Sequence, residues 1–85
     1  MHQINFSPKA QKDLKKISKD IQVFILEKLK FYAKQNDPIK WSKSLVNLPP
    51  STHRFQVRKY RVYFYLENNS IFIEEIKLRG QAYRS

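Results

Sequence analysis

Residues 54–66 read RFQVRKYRVYFYL, and the fold turns on this stretch. Phe55 and Val57 alternate with Arg54, Gln56 and Arg58; Tyr60, Val62, Phe64 and Leu66 then alternate with Arg61, Tyr63 and Tyr65. A period of two sends successive side chains to opposite faces, so each run predicts a strand with one apolar and one polar-aromatic face. Downstream, Glu67-Asn68-Asn69-Ser70 predicts a hairpin turn, because asparagine tolerates the left-handed backbone such turns require. Ile71, Phe72, Ile73 and Ile76 predict a third strand of the meander, closed by Gly80, and residues 81–85 read as a short tail.

Upstream the period lengthens. His2 to Phe6 predicts a short strand, and Ser7-Pro8 a helix start, with serine as N-cap and proline where its missing N–H is harmless. Ala10, Leu14 and Ile17 follow at helical spacing. Ser18 predicts a second N-cap with Asp20 in the first turn, and Ile21, Phe24, Ile25, Leu29 and Tyr32 a broad apolar stripe ending before Pro38. Residues 36–51 read as irregular, with Trp41, Leu45, Val46 and Leu48 tucked under the core. The expected class is α+β in the order β-α-α-β-β-β: two N-terminal helices packed on one face of an antiparallel sheet, the other face open. Eighty-five residues make one domain, spanning 1–85.

Composition narrows the function. Seventeen Lys+Arg against seven Asp+Glu leave a formal net charge of +10, which draws the chain to phosphate-rich or acidic partners. From Lys9 to Lys43 every basic residue is lysine, whereas Arg54, Arg58, Arg61, Arg79 and Arg84 dominate the C-terminal half. Arginine's planar fork suits phosphate, so the switch points to the sheet. One glycine leaves no Gly-rich phosphate loop, and no cysteine leaves no disulfide or thiolate metal site. His2 and His53 lack Asp or Cys at motif spacing, so neither a triad, a metal site nor a cofactor is expected. No apolar run spans a membrane and the N-terminus lacks a secretory signal, which places the protein in the cytoplasm.

The expected open face carries Arg54, Gln56 and Arg58 from one strand and Arg61, Tyr63 and Tyr65 from the next. Arginine for phosphate and aromatic rings for bases is the combination used on single-stranded nucleic acid. The same residues also serve plain solvent-facing strands, or a surface for an acidic protein segment. Glu74 and Glu75, adjacent on a strand, are expected to point to opposite faces, one of them pairing with a sheet arginine. Arginine, lysine and tyrosine then remain for chemistry, a set suited to metal-free RNA cleavage.

Phe6-Ser7-Pro8-Lys9-Ala10, Asp13-Leu14, Ile17, Arg54-Phe55-Gln56-Val57-Arg58, Tyr60-Arg61-Val62 and Arg79-Gly80-Gln81-Ala82-Tyr83-Arg84 together resemble the RelE/ParE toxin superfamily. The resemblance implies two possible activities. RelE-type members enter the ribosomal A site and cut mRNA without metal, the 2′-OH attacking the adjacent phosphate to leave a cyclic phosphate and a 5′-OH. ParE-type members inhibit DNA gyrase. Both are silenced by a cognate antitoxin, here expected to be acidic or to carry an acidic binding segment.

By the same resemblance, Arg61 matches the arginine that stabilises the transition-state phosphate. Tyr83 matches the C-terminal tyrosine that stacks on a base and assists proton transfer. Arg79 supports the phosphate, and Arg54 takes the place of the first of two basic strand residues. Arg58, Lys77, Gln56 and Tyr63 are the accompanying substrate-binding candidates. The chain departs from the pattern twice: Gln56 is neutral where a second basic residue is common, and Lys77-Leu78-Arg79 lacks a histidine. The resulting expectation is a ribosome-dependent mRNA endonuclease toxin with mRNA and the ribosome as partners. The alternatives are a gyrase inhibitor, or a non-catalytic basic module that binds RNA or protein.

Overall fold

Ser7 opens the first helix as its sequence predicts: its Oγ accepts the Ala10 N–H at 3.0 Å, and Pro8 occupies the first turn. The computed structural model describes residues 1–80. Strand β1 (Gln3–Phe6) leads into α1 (Pro8–Lys15) and α2 (Lys19–Ala33). A 3-10 turn (Pro38–Trp41) and the two-residue strand β2 (Lys43–Ser44) follow, then β3 (His53–Val57), β4 (Tyr60–Glu67) and β5 (Ser70–Leu78). Ser18 occupies the N-cap of α2 with Asp20 in the first turn, as expected, but its hydroxyl donates to the Asp20 carboxylate at 2.9 Å and makes no side-chain cap bond. That hydroxyl, followed by the local backbone N–H groups, holds the Asp20 carboxyl below its ordinary value.

The strands form one five-stranded sheet in the order β1-β5-β4-β3-β2. β3, β4 and β5 pair antiparallel, as the meander predicts; β2, in a stretch read as irregular, adds antiparallel to β3, and β1 joins the edge of β5 in parallel, so the sheet is mixed. Parallel neighbours need a long crossover. Here the partner of β1 arrives more than sixty residues later, after both helices, and no local pattern announces the pairing.

The helices cover one face, where Ile25, Leu29, Phe55, Val62, Phe64, Ile71 and Ile73 are completely buried. An aromatic column runs through this core: Tyr32 stacks on Phe55 at 4.1 Å, and Phe55 on Phe64 at 4.2 Å. Burying rings of this size supplies much of a small domain's apolar stabilisation.

Two local irregularities reset the strand pattern. Asn68 and Asn69, both at positive φ, turn the β4–β5 hairpin as expected. Arg58 also has positive φ (54°) and, with Lys59, turns β3 into β4, so it is not a strand residue. A left-handed backbone costs a non-glycine residue roughly 1–2 kcal/mol, and neither arginine nor lysine signals a turn in sequence. In β5 a bulge lets Tyr63 pair with Glu75 and Phe64 with Ile73, leaving Glu74 unpaired. The extra residue shifts the phase, so Ile71 and Ile73 are buried on one side of it and Ile76 on the other. Helix α1 closes the strand edge here: Ser7 Oγ donates to the Glu74 carbonyl at 2.7 Å, and Asp13 Oδ2 accepts the Ile76 N–H at 2.9 Å.

The β2–β3 connection does not tuck beneath the core. Val46 and Leu48 within it are exposed, as is Trp41 in the 3-10 turn before β2, and Leu45 is half-buried. Leu48 to Ser51 instead line a cleft of about 310 Å³ with Ser7, Lys9, Glu74 and Glu75. To reach β5 from the opposite side of the sheet, the connection crosses the face expected to be open. Among the described residues, no helix is long and apolar enough to cross a membrane.

Candidate nucleic-acid interface

Residues paired across neighbouring strands point to the same face of a sheet. The register therefore assembles the side opposite the helices from two rows. Lys43, Arg54, Tyr63 and Glu75 form one; Gln56, Arg61 and Lys77 form the next. Lys77, whose direction sequence alone left open, faces the same way as Arg61. Each row sets like charges on adjacent strands, Lys43 beside Arg54 and Arg61 beside Lys77. Such pairs destabilise a sheet, and breaking a local rule in this way is characteristic of surfaces kept for a ligand.

Hydrogen bonds hold part of this surface in place. Arg54 Nη1 donates to Gln56 Oε1 at 3.0 Å, and Gln56 Nε2 donates to the Arg58 carbonyl at 2.7 Å. The neutral Gln56 thus braces Arg54 against the hairpin, a role open to an amide and closed to a lysine. Arg61 is half-buried, with Nε and Nη1 shielded from water, so an anion meeting this guanidinium meets a less screened charge. Glu75 lies 3.8 Å from Lys77 Nζ and 3.9 Å from Lys9 Nζ. Its ion pairs are with lysines, where a sheet arginine was expected.

Of the remaining candidates, Arg58 leaves this face, Tyr63 is buried in it, and Arg79 joins it at one end. Arg58 sits in the turn with its guanidinium 4.1 Å from the Phe24 ring centroid, on the helix side and away from Arg54. The turn geometry removes it from the face that strand alternation assigned to it. Tyr63 is on the expected face but only 3% exposed, so its ring is not offered for stacking. Arg79 lies just past β5, exposed, with its N–H donating to the Lys59 carbonyl at 2.6 Å. That bond sets it beside the β3–β4 hairpin, at the same end of the sheet as Gln56, Arg61 and Lys77. Tyr83 lies outside the described residues.

Sequence reading missed two contributors. Lys43 joins the arginine row through a strand of two residues, too short to leave a periodic signal. Lys9 reaches Glu75 from α1, a contact that depends on how helix and sheet dock. The arrangement as a whole is a set of fixed cations with hydrogen-bond donors, suited to gripping a phosphodiester.

A family model described as the ParE toxin of type II toxin–antitoxin systems, parDE, matches residues 4–83. No curated protein sequence matches the chain. Among solved structures, the RelBE2 toxin–antitoxin complex of Mycobacterium tuberculosis is similar at a TM-score of 0.76 and 20% identity, over 92% of this chain and 91% of that one. The isolated RelE toxin of E. coli gives 0.74 at 16% identity, over 93% and 85%. The RelE–RelB complex of Pyrococcus horikoshii gives 0.73 at 20% identity, over 94% and 97%. At these identities the structural likeness speaks to the fold.

Proposed function

The chain belongs to the ParE toxin family of type II toxin–antitoxin systems, and we propose, from the cationic face of its sheet, that it is a ribosome-dependent mRNA endonuclease held in check by a cognate antitoxin. One observation carries the reading: Arg61 and Lys77 stand side by side on the face opposite the helices, with Gln56 in the same row and Arg54 in the next. In the proposed reaction the ribose 2′-oxygen bonds to the adjacent phosphorus while the bond from phosphorus to the 5′-oxygen breaks. Arg61 and Lys77 hold the non-bridging oxygens as their charge grows in the crowded transition state. Arg54, steadied by Gln56, steers the neighbouring phosphate, and Arg79 adds a cation at the end of the row that holds Arg61 and Lys77. The 2′-OH proton leaves to a side-chain base, and the departing 5′-oxygen takes up a proton. Tyr83 is the residue proposed for this exchange.

The antitoxin follows from the same chemistry. A surface that sets like charges side by side is relieved by an acidic segment, which would mask the rows that hold phosphate. The structural relatives from M. tuberculosis and P. horikoshii are themselves toxin–antitoxin complexes.

The test is mRNA on programmed ribosomes. Wild type should cut within the A-site codon, and Arg61→Ala and Tyr83→Phe should each lose about a hundredfold or more of that rate. Intact mRNA, together with blocked supercoiling by DNA gyrase, would establish the second reading. That reading is favoured by the ParE family model and by the neutral side chains at Gln56 and Leu78.

A further inference from the structure

Apart from the cationic sheet face, one surface joins exposed aromatic rings to a concentration of charge. Phe31, on α2, is 41% exposed, and Trp41, closing the 3-10 turn, is 50% exposed. Their rings meet edge to face, with centroids 5.1 Å apart at 85°. Both also touch Tyr32, which itself stacks on Phe55 in the core. The exposed pair is thus the outer end of the buried aromatic column and packs directly onto it. Lys28 Nζ lies 5.6 Å from the Phe31 centroid and 5.8 Å from that of Tyr32. Between Glu27 and Trp41 the chain carries Lys28, Lys30, Lys34 and Lys40, all exposed, against Glu27 and Asp37.

The geometry points to a second nucleic-acid site here: a base of single-stranded or looped RNA stacks on Trp41, with Phe31 packed edge to face against that ring, while Lys28 and the lysines near it in sequence hold the flanking phosphates. Three features favour RNA over an acidic peptide. A peptide anchors by filling pockets with side chains. Four clefts of about 260–380 Å³ among the described residues are lined by neither Phe31 nor Trp41, although one of them takes in Lys30 and Lys34. A base needs a fixed ring surface with cations around it, which is what Phe31, Trp41 and the lysines provide. The rigid aromatic column also lowers the ordering cost of binding. The site lies on the helix side, so it is independent of catalysis at Arg61 and Lys77. It would serve to seat the protein on a larger RNA.

Trp41 is the chain's single tryptophan, so its fluorescence reports on this site alone. Titrating wild-type protein with oligouridylate should quench that emission saturably, and the affinity should fall steeply as salt rises. Heparin, a polyanion without bases, should bind without comparable quenching. Trp41→Ala and Phe31→Ala, checked for an unchanged melting profile, should each weaken oligouridylate binding by about five-fold or more, measured by anisotropy of labelled RNA. Arg61→Ala should leave the quenching intact, so failure to cleave mRNA and failure to stack are separate results. RNA that binds without altering Trp41 emission overturns the proposal. So does quenching by an acidic glutamate–leucine peptide where RNA gives none, which would assign the patch to a protein partner.

Discussion

On the helix side of the sheet, Phe55, Phe64, Ile71 and Ile73 are fully buried, and the phenylalanines stack ring on ring. The opposite side sets Arg61 beside Lys77 and Arg54 beside Lys43. Strands β3, β4 and β5 supply both surfaces, residue by alternate residue, and β2 adds Lys43 to the polar one. One face gains from every contact it makes within the chain, whereas the other sets like charges on adjacent strands, which costs stability. Stability and function are therefore separable by single substitutions, even at adjacent positions.

The largest effect should come from the core column. Phe64→Ala removes a ring stacked on Phe55 and should cost about 3–5 kcal/mol in urea unfolding. Loss of less than about 1 kcal/mol would mean that the column is not the core's backbone. Next comes the edge where α1 closes β5. Asp13→Ala leaves the Ile76 N–H without its carboxylate and removes the 3.0 Å pair with Lys9, and should cost about 1–3 kcal/mol. Ser7→Ala removes both the Ala10 cap bond and the bond to the Glu74 carbonyl, with an expected cost of about 1–2 kcal/mol.

On the cationic face the sign of the comparison should reverse. Lys77→Gln removes repulsion at Arg61 and a 3.8 Å pair with Glu75 together, so stability should move by no more than about 0.5 kcal/mol while mRNA cleavage falls. A variant that loses stability and activity in parallel would show that the two faces are not separable.

The smallest effect concerns pH. Asp20 has its folded pKa lowered, first by the Ser18 hydroxyl, so the carboxylate's contribution is present above its ordinary value of 3.8 and is lost as pH falls through the folded pKa. Ser18→Ala should raise the Asp20 pKa by NMR titration and slightly reduce the protein's resistance to acid.

Much of the helix side was legible because local chemistry decided it. Ser7-Pro8 specifies a helix start, Asn68-Asn69 a hairpin, and the period-two run from Phe55 to Phe64 a half-buried pair of strands. The polar face was legible only where alternation stayed unbroken, as at Arg54, Gln56 and Arg61. Arg58 was misplaced because a turn formed without glycine, asparagine or proline to announce it. The bulge at Glu74 settles how Lys77 registers with Arg61, and no side chain in Ile73-Glu74-Glu75-Ile76 encodes that shift. Tyr63 was assigned to the right face, but the crossing of Leu48–Ser51 above the sheet is a tertiary event. The parallel pairing of β1 and the exposure of Trp41 likewise depend on contacts between segments distant in sequence.

The central claim is that the paired cations opposite the helices act on an RNA phosphate. It is tested most directly by the rate of mRNA cleavage on programmed ribosomes for wild type and Arg61→Gln, compared at matched folded fraction. The account predicts cutting within the A-site codon by wild type and a loss of about a hundredfold or more in the variant. Equal cutting by the two proteins, or intact mRNA with wild type, would contradict it.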